Sequence, residues 1–364
     1  MSESPPTTIA GWPWVFRIPL YMRQPAPPQP AATKPNAAHH EETFMNMQIR
    51  FNPSTEELTA APWLANHQPL GAYDPAPVAD IVGQIVNLHR RRQAAIRAKT
   101  KVILMMKAEV RSLLCRDADF EQDKTTDRVT AFGKAPRKLT KAAQKRVDDA
   151  IKAAMAEIEE GLPQSDVASV ISSYIESEKL FDAQCEGYAK QMVKLVKQLP
   201  AYEFVKSVNG FGDVSFATIV GECGDIGTYK SVSAVWKRLG LAVINGRRQG
   251  NPGEGATAQD WVDHGYNRAR RSVSWNMRGG IIGNMGLWRP DFGSDLSDAT
   301  YYQRVYAERA RFEAEKLGLP VECKVNARGV EKESYRAHVA TRAHRYVEKR
   351  LLKNLYIEWR KAAA

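Results

Sequence analysis

The residues whose types and spacing could do chemistry lie mainly in the second half of the chain. Ser207-Val208-Asn209-Gly210-Phe211-Gly212-Asp213 leads from an apolar helix end, through two glycines, into a new helix. Gly210 and Gly212 permit positive φ and let the backbone come close to another chain. The amides that open the second helix have no partner within it and suit a phosphate oxygen. The alternative is an ordinary tight turn between packed helices, and Asp213 would compete with phosphate for the same amides. Downstream, Asn245-Gly246-Arg247-Arg248-Gln249-Gly250 reads as a glycine-rich basic loop, and Arg268, Arg270 and Arg271 open a further helix. From Lys230 to Arg289 ten Lys/Arg face only Glu254, Asp260 and Asp263, with Trp236, Trp261, Tyr266 and Trp275 interleaved. A flexible basic loop beside a basic helix is what phosphate contact needs, so DNA is the expected partner. Gly210, Phe211, Gly212, Arg247, Arg248, Arg268, Arg270 and Arg271 are the residues expected to touch its backbone.

Other chemistries recede. Cys115, Cys185, Cys223 and Cys323 are widely spaced and form no CxxC, which argues against a disulfide framework, a zinc ribbon or a dithiol site. His338 and His344 have no Cys or carboxylate at ligand spacing and read as helix-surface residues. Asp117, Asp119, Glu121 and Asp123 alternate like a calcium loop, but Gln122 replaces the required Gly and Arg128 the final Glu, so they read as a solvated turn. No metal or cofactor is expected. Ser272 and Ser274 are the nearest hydroxyls to the basic loop, without a visible base, and no catalytic residue is assigned.

These residues need a helical frame. From Pro77, apolar residues recur at helical spacing through Val78, Val82, Ile85, Ile103, Met106 and Val110, and no Gly or Pro occurs from Gln84 to Phe120, which predicts one long helix to about Cys115. Its polar face carries nine Lys/Arg between Asn87 and Arg116, opposed only by Glu109. A charged connector, Asp117–Arg137, precedes a second helix over Thr140–Glu160. A third spans Ser165–Leu199, capped by Ser165 or Asp166 and ended by Pro200. The long helices suggest a helical hairpin or coiled-coil stalk, through which copies of the chain would associate. Short helices are expected over Asp213–Cys223, Ser231–Leu239 and His264–Ile282, longer ones over Ala299–Leu317 and Glu331–Trp359. Met47–Phe51 and Val321–Val325 are the only β-like pieces. The fold class is therefore mainly α. Residues 1–76 form a proline-rich, poorly ordered segment, 77–200 the basic stalk, and 201–364 a compact helical domain containing a helix-hairpin-helix.

The chain is 364 residues long with 52 Lys+Arg against 41 Asp+Glu, a net charge of +11 that asks for an acidic partner. Its apolar runs are short and broken by charge, which argues against a membrane span, and the free thiols suit the cytoplasm. The one apolar island near the start, Trp12 to Met22, is broken by Pro13 and Pro19 and lacks a preceding basic region, so it is not read as a signal peptide.

In order, these parts resemble the insertion-sequence transposases that join a DEDD nuclease-like domain to a serine-bearing domain and are guided by a bridge RNA. Leu88 to Thr100 is similar to the family's arginine-rich helix, and Val208-Asn209-Gly210-Phe211-Gly212 to its IPGIG hairpin. Gly221-Glu222-Cys223-Gly224-Asp225-Ile226 is similar to its AEIGDI segment, and Gly240-Leu241-Ala242-Val243 to GLAP. Gly265 to Arg271 is similar to its GN..LR helix start, and Ala337 to Leu352 to its final helix. The resemblance implies DNA binding, a role in transposition or recombination, and a guide or other structured RNA as a further partner. Two features depart from the family. The proline-rich segment stands where the acidic nuclease domain belongs, with Asp127 of Thr126-Asp127-Arg128 its only echo. The nucleophilic serine expected after GLAP is replaced by Asn245-Gly246, with no serine from Ala234 to Arg271. An amide cannot form the phosphodiester linkage that a hydroxyl forms. The expected protein is a DNA-binding transposase relative with degenerate catalytic residues; the alternative is a DNA- or RNA-binding regulator derived from one.

Overall fold

A computed structural model describes residues 73–122, 137–244, 246–250, 252–253 and 256–362. The Trp12–Met22 island, Met47–Phe51, Asp127 and Asn245 lie outside the described residues.

The fold is mainly α. Helix α1 (Ala76–Leu114) has 39 residues, a length of about 58 Å. It runs antiparallel to α3 (Asp166–Val196), as shown by ties between Lys99 and Asp182 and between Glu109 and Tyr174. Helix α2 (Lys141–Glu159) starts as its cap residue predicts, the Thr140 hydroxyl accepting the Ala143 amide at 3.2 Å. Ser165 does the same for α3, and its own amide and hydroxyl donate to Glu157. The hairpin expected from α1 and α3 gains a third member at its far end. Met106, Val110 and Cys115 of the α1 side meet Ala143, Val147 and Ala154 of α2 and Val167, Ala168 and Ile171 of α3 in a separate small core. Midway, the pair is joined by charge: Lys99 Nζ lies 2.6 Å from Asp182 and 3.3 Å from Glu178.

The other ends of α1 and α3 insert into the main core. Val78, Val82, Ile85, Met192 and Val196 pack with Phe216, Tyr306, Leu351 and Trp359. That core is built by α4 (Tyr202–Ser207), α5 (Asp213–Cys223), α6 (Val232–Arg238), α8 (Arg268–Ile282), α9 (Tyr301–Lys316) and α10 (Ala337–Ala362), while α7 (Ala258–His264) buries none of its residues. Apolar residues on α10 recur at Val339, Ala343, Val347, Leu351 and Leu355, all buried, so one stripe is spent on the core and the opposite one is free for charge. Tyr73 straps the entry of α1 to this core. Its hydroxyl donates to Asp225 and accepts from Trp359 Nε1 at 2.9 Å.

Several elements differ from the sequence expectation. The helix expected over His264–Ile282 begins only at Arg268: His264 is the last residue of α7, which Gly265 ends in the left-handed conformation (φ 58°), and Asn267 then caps α8. The start of Glu331–Trp359 is not helical: β6 (Glu331–Ser334) pairs antiparallel with β5 (Glu322–Val325), and the Asn326 carboxamide binds the turn amides of Arg328 and Val330. The charged connector is flanked by a short ladder, β1 (Phe120–Gln122) with β2 (Arg137–Leu139), and Asp119 accepts from the Arg116 amide and from Arg146. His344 is not a surface residue. It is buried, stacks on Tyr306 at 4.7 Å and sits 3.1 Å from the Gly286 carbonyl. Burial, with Arg278 and Arg289 nearby, pushes its pKa down to about 3. Among the described residues no helix is long and apolar enough to cross a membrane, and no group of His, Cys, Asp and Glu could hold a metal.

Candidate nucleic-acid interface

The turn between α4 and α5 is shaped by an internal contact. Gly210 has φ 78°, and a Cβ placed on it would lie 2.2 Å from the Gly280 carbonyl oxygen of α8. The close backbone approach anticipated at this glycine is therefore satisfied within the protein. Phe211 is core, buried and edge-on to Phe216 with ring centroids 6.2 Å apart. Gly212 is different: it is exposed, with nothing within 4 Å of a Cβ, and its carbonyl accepts the first helical amides of Ser215 and Phe216. Asp213 is partly engaged by the Tyr202 hydroxyl at 3.4 Å.

The basic loop is a minimal hairpin. Strand β3 (Val243–Ile244) pairs antiparallel with β4 (Arg247–Arg248), Ile244 opposite Arg247. What holds the loop down is Gln249, which sequence reading passed over. Its side chain is buried, accepts the Ala242 amide at 3.2 Å and donates to the carbonyls of Lys237, His264 and Gly265. One carboxamide thus ties the hairpin to the ends of α6 and α7. Replacing Gln249 with leucine strands these buried groups, and a loss of about 2 kcal/mol in urea unfolding is expected. Protease cleavage at Arg247 or Arg248 in the folded protein should rise with it.

The four predicted arginines whose side chains are described separate into two kinds. Arg248 and Arg268 are exposed. Arg270 is partly drawn in, its Nε 3.4 Å from Glu222. Arg271 turns inward: it donates to both oxygens of Glu348, at 2.6 and 3.1 Å, and to the Ser274 hydroxyl at 2.8 Å. This corrects its assignment, since its guanidinium is spent on the frame. Ser274 is fully buried, and the Ser272 hydroxyl donates to the Ala269 carbonyl at 2.6 Å. Arg247 enters as a β4 residue.

Three further features could not be read from local sequence. His89, in the middle of the basic helix, is buried, with Nε2 3.0 Å from Glu222. It fits because Gly221 has no side chain; a Cβ there would lie 2.4 Å from the imidazole. The hydrogen bond from His89 holds the Glu222 carboxyl below its usual range, with Arg270 and Arg238 adding to the effect. Glu222 therefore links α1 to the start of α8. On α10, Arg345 and Lys349 are half-buried beside the basic loop, and Lys349 lies over the Trp236 ring at 4.9 Å from its centroid. Their basic i, i+4 spacing is visible in the sequence; the tryptophan beneath them belongs to another helix.

Comparison with protein-family models, curated proteins and solved structures finds no match to the chain. The functional reading rests on this geometry and on the motif order described above.

Proposed function

We propose that the chain is a DNA-binding protein of the transposase type, gripping the nucleic-acid backbone without performing the family's serine chemistry. One observation carries this: four acids of the helical domain are engaged by arginines within the fold, while Arg248 and Arg268 face out. Glu222, Glu313, Glu333 and Glu348 are held by arginines, Glu313 by Arg309 and Arg342 and Glu333 by Arg311. Burial pushes the Glu313 carboxyl up, yet the arginines outweigh it and hold it below its usual value. Arg248 and Arg268 remain exposed with no ion pair among the described residues. Buried Ser274, and Asn rather than Ser at position 245 of the sequence, favour the non-catalytic form of this reading. A cytoplasmic location follows from the same partner.

Helix α1 extends the basic surface. Arg90, Arg97 and Lys101, spaced i, i+7 and i+11, are exposed on one helical face and suit a second nucleic-acid segment, such as a structured RNA. Exposed Leu104 and Met105 on α1 and Leu180 on α3 suit contact with a second copy.

Binding to a short duplex should weaken linearly in log affinity against log salt concentration. Arg248→Ala and Arg268→Ala are each expected to reduce that slope by about 1 while leaving the melting temperature unchanged. Salt-independent affinity, or none at low salt, would overturn the proposal.

A further inference from the structure

Glu348 is fully buried, and both its oxygens are taken by Arg271 and Arg278. Arg345 lies in the same electrostatic neighbourhood, within range of Arg271, Glu348, Arg248 and Tyr266. One helical turn on, Lys349 runs along Trp236, whose Nε1 donates to the Lys349 carbonyl at 3.1 Å. Three cations, Arg271, Arg278 and Arg345, thus share the surroundings of one carboxylate whose oxygens are both taken by the first two, and Lys349 adds a fourth positive charge beside Arg345. Neither Arg345 nor Lys349 forms an ion pair among the described residues. Burial lowers the pKa of both, and neighbouring cations lower it further: Arg271 and Arg248 act on Arg345, and Arg345 on Lys349. Two half-buried, like charges without a counterion are unfavourable. An arrangement of this kind is stable and useful together when an anion completes it.

We propose that the surface where α10 meets α6, carrying Arg345 and Lys349 one helical turn apart, binds a single phosphate group, with Arg345 and Lys349 as its ligands and exposed Arg248 within electrostatic range of Arg345. A planar guanidinium fork beside a compact ammonium matches an oxyanion that presents several acceptor oxygens and more than one negative charge. Trp236 sets the direction of Lys349, whose ammonium lies over the indole ring. The identity of the phosphate rests on the nucleic-acid reading, which makes it a phosphodiester of a bound strand; a free phosphate ion has the same chemistry.

The test is thermal melting of the full chain at neutral pH, in about 10 mM inorganic phosphate against chloride of equal ionic strength. Phosphate should raise the wild-type melting temperature by about 2 °C. Lys349→Met and Arg345→Met should abolish that rise and, in chloride, melt at or above the wild-type temperature, because each removes an uncompensated cation and keeps an apolar stem. A rise retained in both variants, no rise in the wild type, or variants that melt well below it in chloride would each overturn the site. Duplex binding separates the sources. If the phosphate belongs to a strand, Lys349→Met lowers the salt slope by about 0.9. An unchanged slope with the phosphate shift lost supports the pair as a site for free phosphate. Failure of the wild type to bind duplex, with the phosphate shift intact, sinks the nucleic-acid reading and leaves the phosphate site standing.

Discussion

Truncation of Glu348 to alanine is expected to be among the most destabilising single changes in the chain, at about 3–5 kcal/mol. Glu348 is fully buried on α10, yet its partners come from α8: Arg271 at 2.6 Å and Arg278 at 3.2 Å. Removing the carboxylate leaves two arginine side chains, each only 13% exposed, facing one another and Arg345 without an anion. Burial lowers the Arg278 pKa against the opposing pull of Glu348, the mark of a charge held away from water. The loss is not the energy of one salt bridge; it is the cost of buried charge left uncompensated. That distinction gives a control. Replacing Glu348, Arg271 and Arg278 together by methionine removes the charges as a set and should cost far less than Glu348→Ala alone. Urea unfolding followed by circular dichroism measures both. If Glu348→Ala lost under about 1 kcal/mol, water would have to reach the arginines and the frame described here would be wrong.

Where the sequence was legible, the information was local. Thr140, Ser165 and Pro200 mark the ends of α2 and α3, and the helix expected over Asp213–Cys223 has those bounds, because capping hydroxyls and proline act within one turn of their own positions. The break after His264 was locally encoded as well, in Gly265 and Asn267, but a periodic apolar pattern runs across it and hides the change of direction. Residues 331–334 are charged and carry no strand pattern; the turn that reverses the chain before them makes them a strand. The site was legible as composition and not as arrangement. Arginines at the start of α8 look equivalent in sequence. Arg268 faces solvent while Arg271 faces in, because the acid that claims Arg271 lies 77 residues away. His89 and Glu222 are 133 residues apart, and Gln249 became a fastening only once α6 and α7 converged on it. Charge tallies locate a basic region; partners fixed by the fold decide which cations remain available.

Gly210→Ala should be comparably severe, by a different mechanism. At φ 78° an L side chain strains the backbone by about 1–2 kcal/mol. The new methyl would also sit 2.2 Å from the Gly280 carbonyl oxygen and 2.6 Å from its carbon, contacts no rotamer can relieve because both partners are backbone. Separating the turn from α8 adds about 1–3 kcal/mol, for a total near 3–4 kcal/mol in urea unfolding. Gly280→Ala tests the same contact from the other side, with a Cβ 2.3 Å from the Gly210 carbonyl oxygen. Its cost should be smaller, since alanine favours the helix by about 1 kcal/mol. Gly212→Ala separates packing from binding. Its φ of −74° suits any residue and nothing lies within 4 Å of the added carbon, so the fold should lose less than about 1 kcal/mol. If a phosphate approaches the amides at the start of α5, that methyl obstructs it, and duplex affinity should fall while stability holds. Unchanged affinity would leave the α4–α5 turn as a packing device against α8 and confine nucleic-acid contact to the α6, β3–β4 and α10 surface.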